Sequence, residues 1–126
     1  MSTLKADTIV ASDGTSPVTL TKQSAAKAWV NFNGTGTIAI RDDFNVSTLG
    51  DNGTGDYTVN FSNNMSNADY SGQIAGALTD TGHTSSSTPF SCRSFTASSM
   101  RAIGAGTSNQ GLDMIRMCVA VHGDLA

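Results

Sequence analysis

The sequence predicts an all-β protein: an antiparallel β-sandwich with a short extended N-terminal arm, suited to association with copies of itself. Three observations predict it. From Trp29 onward apolar residues recur with period two, most clearly in Tyr57-Thr58-Val59-Asn60-Phe61, which turns one face of a strand inward and the other to water. Turn-forming residues separate these runs, and Thr, Ser, Gly and Asn fill 54 of the 126 positions. All ten acidic residues are Asp and none is Glu, a bias toward turns and against helix.

Leu, Ile, Val and Phe supply only 24 of 126 residues, yet the net charge is −3 and only 13% of residues are charged. A chain short of charges as well as of large apolar groups is a poor random coil. It builds a thin core, and such a subunit gains stability by burying surface against its copies. The seven Lys and Arg are scattered without a basic run, so no nucleic-acid partner is expected. No stretch of about 18 apolar residues occurs, so no membrane insertion is expected. The start, MSTLKADTIV, lacks the apolar segment of a secretory signal, and the expectation is folding in the compartment of synthesis.

The elements follow in order. Residues 1–28 are set apart as an arm or neck for docking or self-association, and residues 29–126 as the sandwich. Within the arm, Thr3 to Val10 and Pro17 to Thr21 are extended in character, Asp13-Gly14 is a turn signal, and Ser24 to Ala28 could form one helical turn capped by Ser24. Val30 and Phe32 share a face, and Asn33-Gly34-Thr35-Gly36 turns the chain. Ile38 and Ile40 share the next face, and Phe44, Val46 and Leu49 form a further strand. A glycine turn over Gly50 to Gly55 leads into Tyr57-Val59-Phe61, and Ser62 to Asp69 is a loop. Tyr70 to Leu78 is a strand of small residues, Thr79 to Thr88 a polar loop, and Phe90 to Ala97 a strand. Met100 to Ile103 reads as a short edge strand and Gly104 to Gly111 as a turn. In the last strand, Leu112 to His122, Ile115, Met117, Val119 and Val121 share one face. About seven closely spaced strands with glycine turns indicate the sandwich.

Chemistry finds little purchase. His83 lies in a Ser/Thr loop and His122 at a strand end, and no Gly-x-Ser-x-Gly elbow accompanies them, so no catalytic residue is expected. Asp51-Asn52-Gly53 with Asp56 lacks the spacing and the bidentate Glu of a calcium loop, and reads as a hairpin turn. Adjacent Asp42 and Asp43 point to opposite faces of a strand and cannot easily flank one glycosidic bond. Cys92 and Cys118 are expected to be buried thiols, with a disulfide left open. With His83 and His122 they lack finger-like spacing, apart from Cys118-x-x-x-His122, so neither a metal nor a cofactor is expected. Five Asn-x-Ser/Thr triplets, starting at Asn33, Asn45, Asn52, Asn60 and Asn64, are what such a composition produces by chance.

Recognition by this chain would fall to loops and rings. Trp29 and Tyr70 are the rings best suited to stacking on sugar, though core or interface positions suit both. Thr79 to Thr88 has no large apolar residue and cannot build core. Its Asp80, His83, Thr84, Ser85, Ser86 and Ser87, with Ser108 and Asn109 of the later turn, are the candidate binding residues.

The run Ala26-Lys27-Ala28-Trp29-Val30-Asn31-Phe32-Asn33-Gly34-Thr35-Gly36-Thr37-Ile38-Ala39-Ile40-Arg41 resembles a signature of tail-fibre proteins of marine and cyanobacterial bacteriophages. Phe44-Asn45-Val46-Ser47 and Asp51 to Phe61 continue the likeness. Val119 to Asp124 is similar to the closing strand of such domains, and Leu4 to Ile9 with Val18 to Thr21 to their leader. The resemblance implies a virion protein, usually a homotrimer, at or near the host-contacting end of a fibre and without transferable catalytic residues. The expected partners are its own copies, other tail proteins through the arm, and a host surface glycan or protein. A purely structural tail or decoration subunit is the main alternative. A polysaccharide-degrading spike is the third.

Overall fold

A computed structural model of the chain describes residues 10, 12–14, 25–79, 89–106, 108 and 110–126. Among these the chain is all-β. The strands are β1 (Ala28–Asn33), β2 (Ala39–Phe44), β3 (Val46–Gly53), β4 (Asp56–Phe61), β5 (Ser71–Ala77), β6 (Phe90–Arg93), β7 (Ser99–Gly104) and β8 (Arg116–His122). They form two four-stranded sheets, ordered β2-β1-β8-β5 and β3-β4-β7-β6, with every neighbouring pair antiparallel. The chain crosses between the sheets after β2, β4, β5 and β7, so that residues distant in sequence meet in one sandwich.

The core lies between the sheets. Ala28, Val30 and Phe32 of β1 face Tyr57, Val59 and Phe61 of β4, joined by Met100, Ala102, Met117, Val119 and Val121. Period-two patterning produces this directly: Tyr57, Val59 and Phe61 are buried while Asp56, Thr58 and Asn60 are only partly so. Edge-to-face ring pairs stiffen it, Phe32 on Tyr57 with centroids 5.1 Å apart and Phe61 on Tyr70 at 5.7 Å. Flexible Met65, Met100, Met114 and Met117 fill the spaces that a core poor in Leu leaves.

Several boundaries differ from those the sequence predicts, each for a local reason. Phe44 and Val46 belong to different strands in different sheets, because Asn45 takes a left-handed φ of 57° and turns the chain between them. The amide side chain tolerates this conformation and is used there: Asn45 Nδ2 donates to Lys27 O at 2.9 Å, and its Oδ1 accepts from Asn63 N at 2.7 Å. β6 ends at Arg93, before a left-handed Ser94 with φ of 49°. β7 is an interior strand, bonded to β4 and β6, rather than an edge. The last strand begins only at Arg116: Leu112 N instead donates to Gly104 O at 3.0 Å and Met114 O accepts from Gly34 N at 2.8 Å. Ala25 and Ala26 are not helical and Ala28 pairs with Val121 in β1, so cross-strand pairing overrides the helical turn expected there. The cysteines are free and only partly buried. Cys92 packs on the core, where burial pushes its thiol pKa up. Cys118 alternates with buried Met117 and Val119 and faces outward.

Candidate functional site

Strand direction sends four connections to one end of the sandwich. β1 ends at Asn33, β3 at Gly53, β5 at Ala77 and β7 at Gly104, and the pairing register sets all four termini on the same side. The connections are residues 34–38, 54–55, 78–89 and 105–115.

Three of these loops are joined through one carboxylate. Asp113 Oδ1 accepts from Gly55 N at 2.7 Å and lies 2.9 Å from Tyr57 Oη. The Tyr57 hydroxyl is also 2.8 Å from Gly34 O, and its single proton is shared between these acceptors. Burial, then the hydrogen bond and negative charge of Asp113, push the Tyr57 pKa above its ordinary value of 10.0. The glycines are matched to this arrangement. A Cβ on Gly34 would collide with the Tyr57 hydroxyl, and one on Gly55 with Gly104 O and the Leu112 backbone. Gly55 also has a left-handed φ of 70°. The 34–38 turn is closed locally by Asn33, whose Nδ2 donates to Thr35 O at 3.0 Å and whose Oδ1 accepts from Thr35 Oγ1 at 2.9 Å.

The two segments expected to bind are rooted side by side at this end. Ala105 N donates to Pro89 O at 3.1 Å, fastening the exit of the 79–88 segment to the start of the 104–111 turn. That turn is closed by Gly106 N donating to Gln110 O at 2.8 Å, and Ser108 sits exposed within it. Asp80, His83, Thr84, Ser85, Ser86, Ser87 and Asn109 lie outside the described residues. Of the candidate rings, Tyr70 is buried at the opposite end, with its hydroxyl donating toward Ser99 O at 2.8 Å and Thr96 O at 3.0 Å. Trp29 is 37% exposed on the outer face of β1.

Asp113, Gly34 and Gly55 are the organising residues that sequence reasoning missed. Strand alternation carries no signal for Asp113, because β8 begins only at Arg116 and Met114, of the opposite parity, is the fully buried residue there. Asp42 and Asp43 behave as expected, exposed on β2 and registered against Asn31 and Val30, which face opposite ways. Asp51 to Asp56 forms a hairpin in which Asp56 is held bidentately by Arg101 of β7. Among the described residues no three His, Cys, Asp or Glu side chains gather as a metal site would require, and no helix is long and apolar enough to cross a membrane. No protein-family model, curated protein or solved structure matches the chain.

Proposed function

We propose that this chain is a non-catalytic structural and binding subunit of a bacteriophage tail fibre, assembled as a homotrimer in the host cytoplasm and carried on the virion. It contacts a host surface glycan or protein through the loop end of the sandwich, while the segment preceding β1 docks on its copies or on another tail protein. The phage assignment rests on the resemblance carried by residues 26–61. The placement of the binding end is supported by one observation: Pro89, which follows the hydroxyl-rich 79–88 segment in sequence, is hydrogen-bonded to Ala105 at the start of the 104–111 turn, at the end where Asp113 braces the neighbouring loops. Recognition loops on a rigid sheet scaffold suit this role, since strands fix position and loops vary freely.

Exchange of Asp80 to Ser87 for a Gly/Ser linker of equal length tests it. The variant is expected to fold and assemble like the parent, because the segment contains no large apolar residue, and to lose most attachment to host cells. Unchanged attachment by a folded variant would reject the assignment and favour a purely structural tail subunit.

A further inference from the structure

The two outer faces of the sandwich differ in kind. On the β3-β4-β7-β6 sheet the polar side chains satisfy one another. Asn52 Nδ2 donates to Thr58 Oγ1 at 2.8 Å, Asn60 Nδ2 to Thr48 Oγ1 at 3.1 Å, and Arg101 holds Asp56. Such a face is complete in water.

On the β2-β1-β8-β5 sheet the register places Phe44, Trp29, Ala120 and Gln73 in one row across the four strands, and Asp42, Asn31, Cys118 and Ala75 in the next. Phe44 is 52% exposed, and Ile40, on the other side of β2, is 37% exposed. Every residue of β2 is exposed, so this strand shows apolar side chains on both its faces, and among the described residues it is an edge strand of its sheet. Among the described residues, the enclosed side-chain polar atoms without a hydrogen-bond partner are Asn31 Oδ1 and His122 Nδ1, and strand alternation assigns both to this face. Trp29 and Phe44, paired across β1 and β2, are large exposed apolar side chains of this face, whereas Ile40 pairs with Phe32 on the other face of β2.

We propose that this face, centred on the Phe44–Trp29–Ala120 row, is where a second copy of the chain docks. The inference rests on the self-association in the function proposed above and identifies the surface that carries it. Two features favour a copy of this chain as occupant. β2 carries both signs of charge, in exposed Arg41, Asp42 and Asp43, so a rotated copy can set a cation of one rim beside a carboxylate of the other. The described chain enters β1 from Ala25, at the end of the strand where Trp29 lies, so the sequence preceding Ala25 in each copy joins the sheet at that end. The sheet face alone outlines roughly 400 Å² in plan, from four strands about 4.8 Å apart and six residues long, about half of the roughly 800 Å² of accessible surface that a stable contact takes from each partner. The docking therefore requires further surface, for which the sequence preceding Ala25 is the available source.

Trp29 is the only tryptophan, so its fluorescence reports this contact in the unaltered chain. Light scattering of the full chain is expected to give an oligomer, with blue-shifted emission and acrylamide quenching severalfold weaker than in a dissociated sample. Ala120→Arg, at the centre of the face, is expected to give a folded monomer with exposed Trp29. Thr48→Arg, on the outer face of the other sheet, is expected to leave assembly intact. An oligomer whose Trp29 is freely quenched, or a folded Ala120→Arg variant that still assembles, overturns the assignment while sparing self-association. A wild-type monomer at tens of micromolar overturns both. Should Ala120→Arg fail to fold, the quenching of the wild-type oligomer decides alone.

Discussion

At the scale of single residues, the hydroxyl of Tyr57 stands between two acceptors, Gly34 O and Asp113 Oδ1, inside the sandwich. Tyr57→Phe keeps the ring packed edge-on against Phe32 but removes the donor shared by Gly34 O and Asp113 Oδ1, the latter keeping only Gly55 N. The expected loss is about 1–3 kcal/mol, read as a lower urea midpoint with an unchanged slope. The same chemistry sets the alkaline limit. Burial holds the Tyr57 proton beyond its ordinary range and pushes the Tyr70 pKa up to about 12. The folded form therefore binds more protons than the unfolded chain once pH exceeds 10.0, the ordinary tyrosine value. Stability from these groups is complete below that pH and is lost as pH rises from there through about 12. Denaturation series at neutral pH and across that window check the sign. Stability that stayed flat to the top of the window would exclude buried protonated tyrosines.

Among the elements, β4 carries the clearest pattern and the firmest prediction. Val59 and Phe61 face the core and Asn60 does not, as period two requires. Phe61→Ala removes a ring packed against Tyr70 and is expected to cost roughly 3–5 kcal/mol, seen as a large fall in melting temperature or loss of soluble protein. A variant as stable as the parent would contradict this register. The elements that resisted reading are those whose ends are set by backbone rather than by side-chain pattern. Phe44 and Val46 keep one parity through Asn45, so alternation alone joins two strands that a left-handed residue separates. β7 reads as an edge because it is short and holds Arg101, whose charge is met by Asp56 only across the sheet.

For the molecule as a whole, the core is thin in the way the composition foretells. Valines, methionines, alanines and a few rings line it, and the apolar pair Trp29 and Phe44 remains outside. Stability that draws on contacts between copies depends on concentration. The melting temperature is therefore expected to rise with protein concentration, and light scattering is expected to report a trimer at micromolar dilution. A stable folded monomer whose melting temperature ignores concentration would remove self-association from the account.

By itself, the sequence determined the fold class and the faces of the best strands. Alternation is a local property, and burying one side of each run leaves a two-layer β structure as the natural outcome. The exposed turn at Ser108 was also legible, since a segment without large apolar side chains cannot enter a core. Only the tertiary structure decided which strands share a sheet, that the 78–89 and 105–115 connections leave from one end, and that Asp113 reaches Gly55 and Tyr57. Those facts depend on pairings between residues up to 93 positions apart, such as Ala28 with Val121. Such pairings are set by the register of whole strands, which no single run of residues encodes.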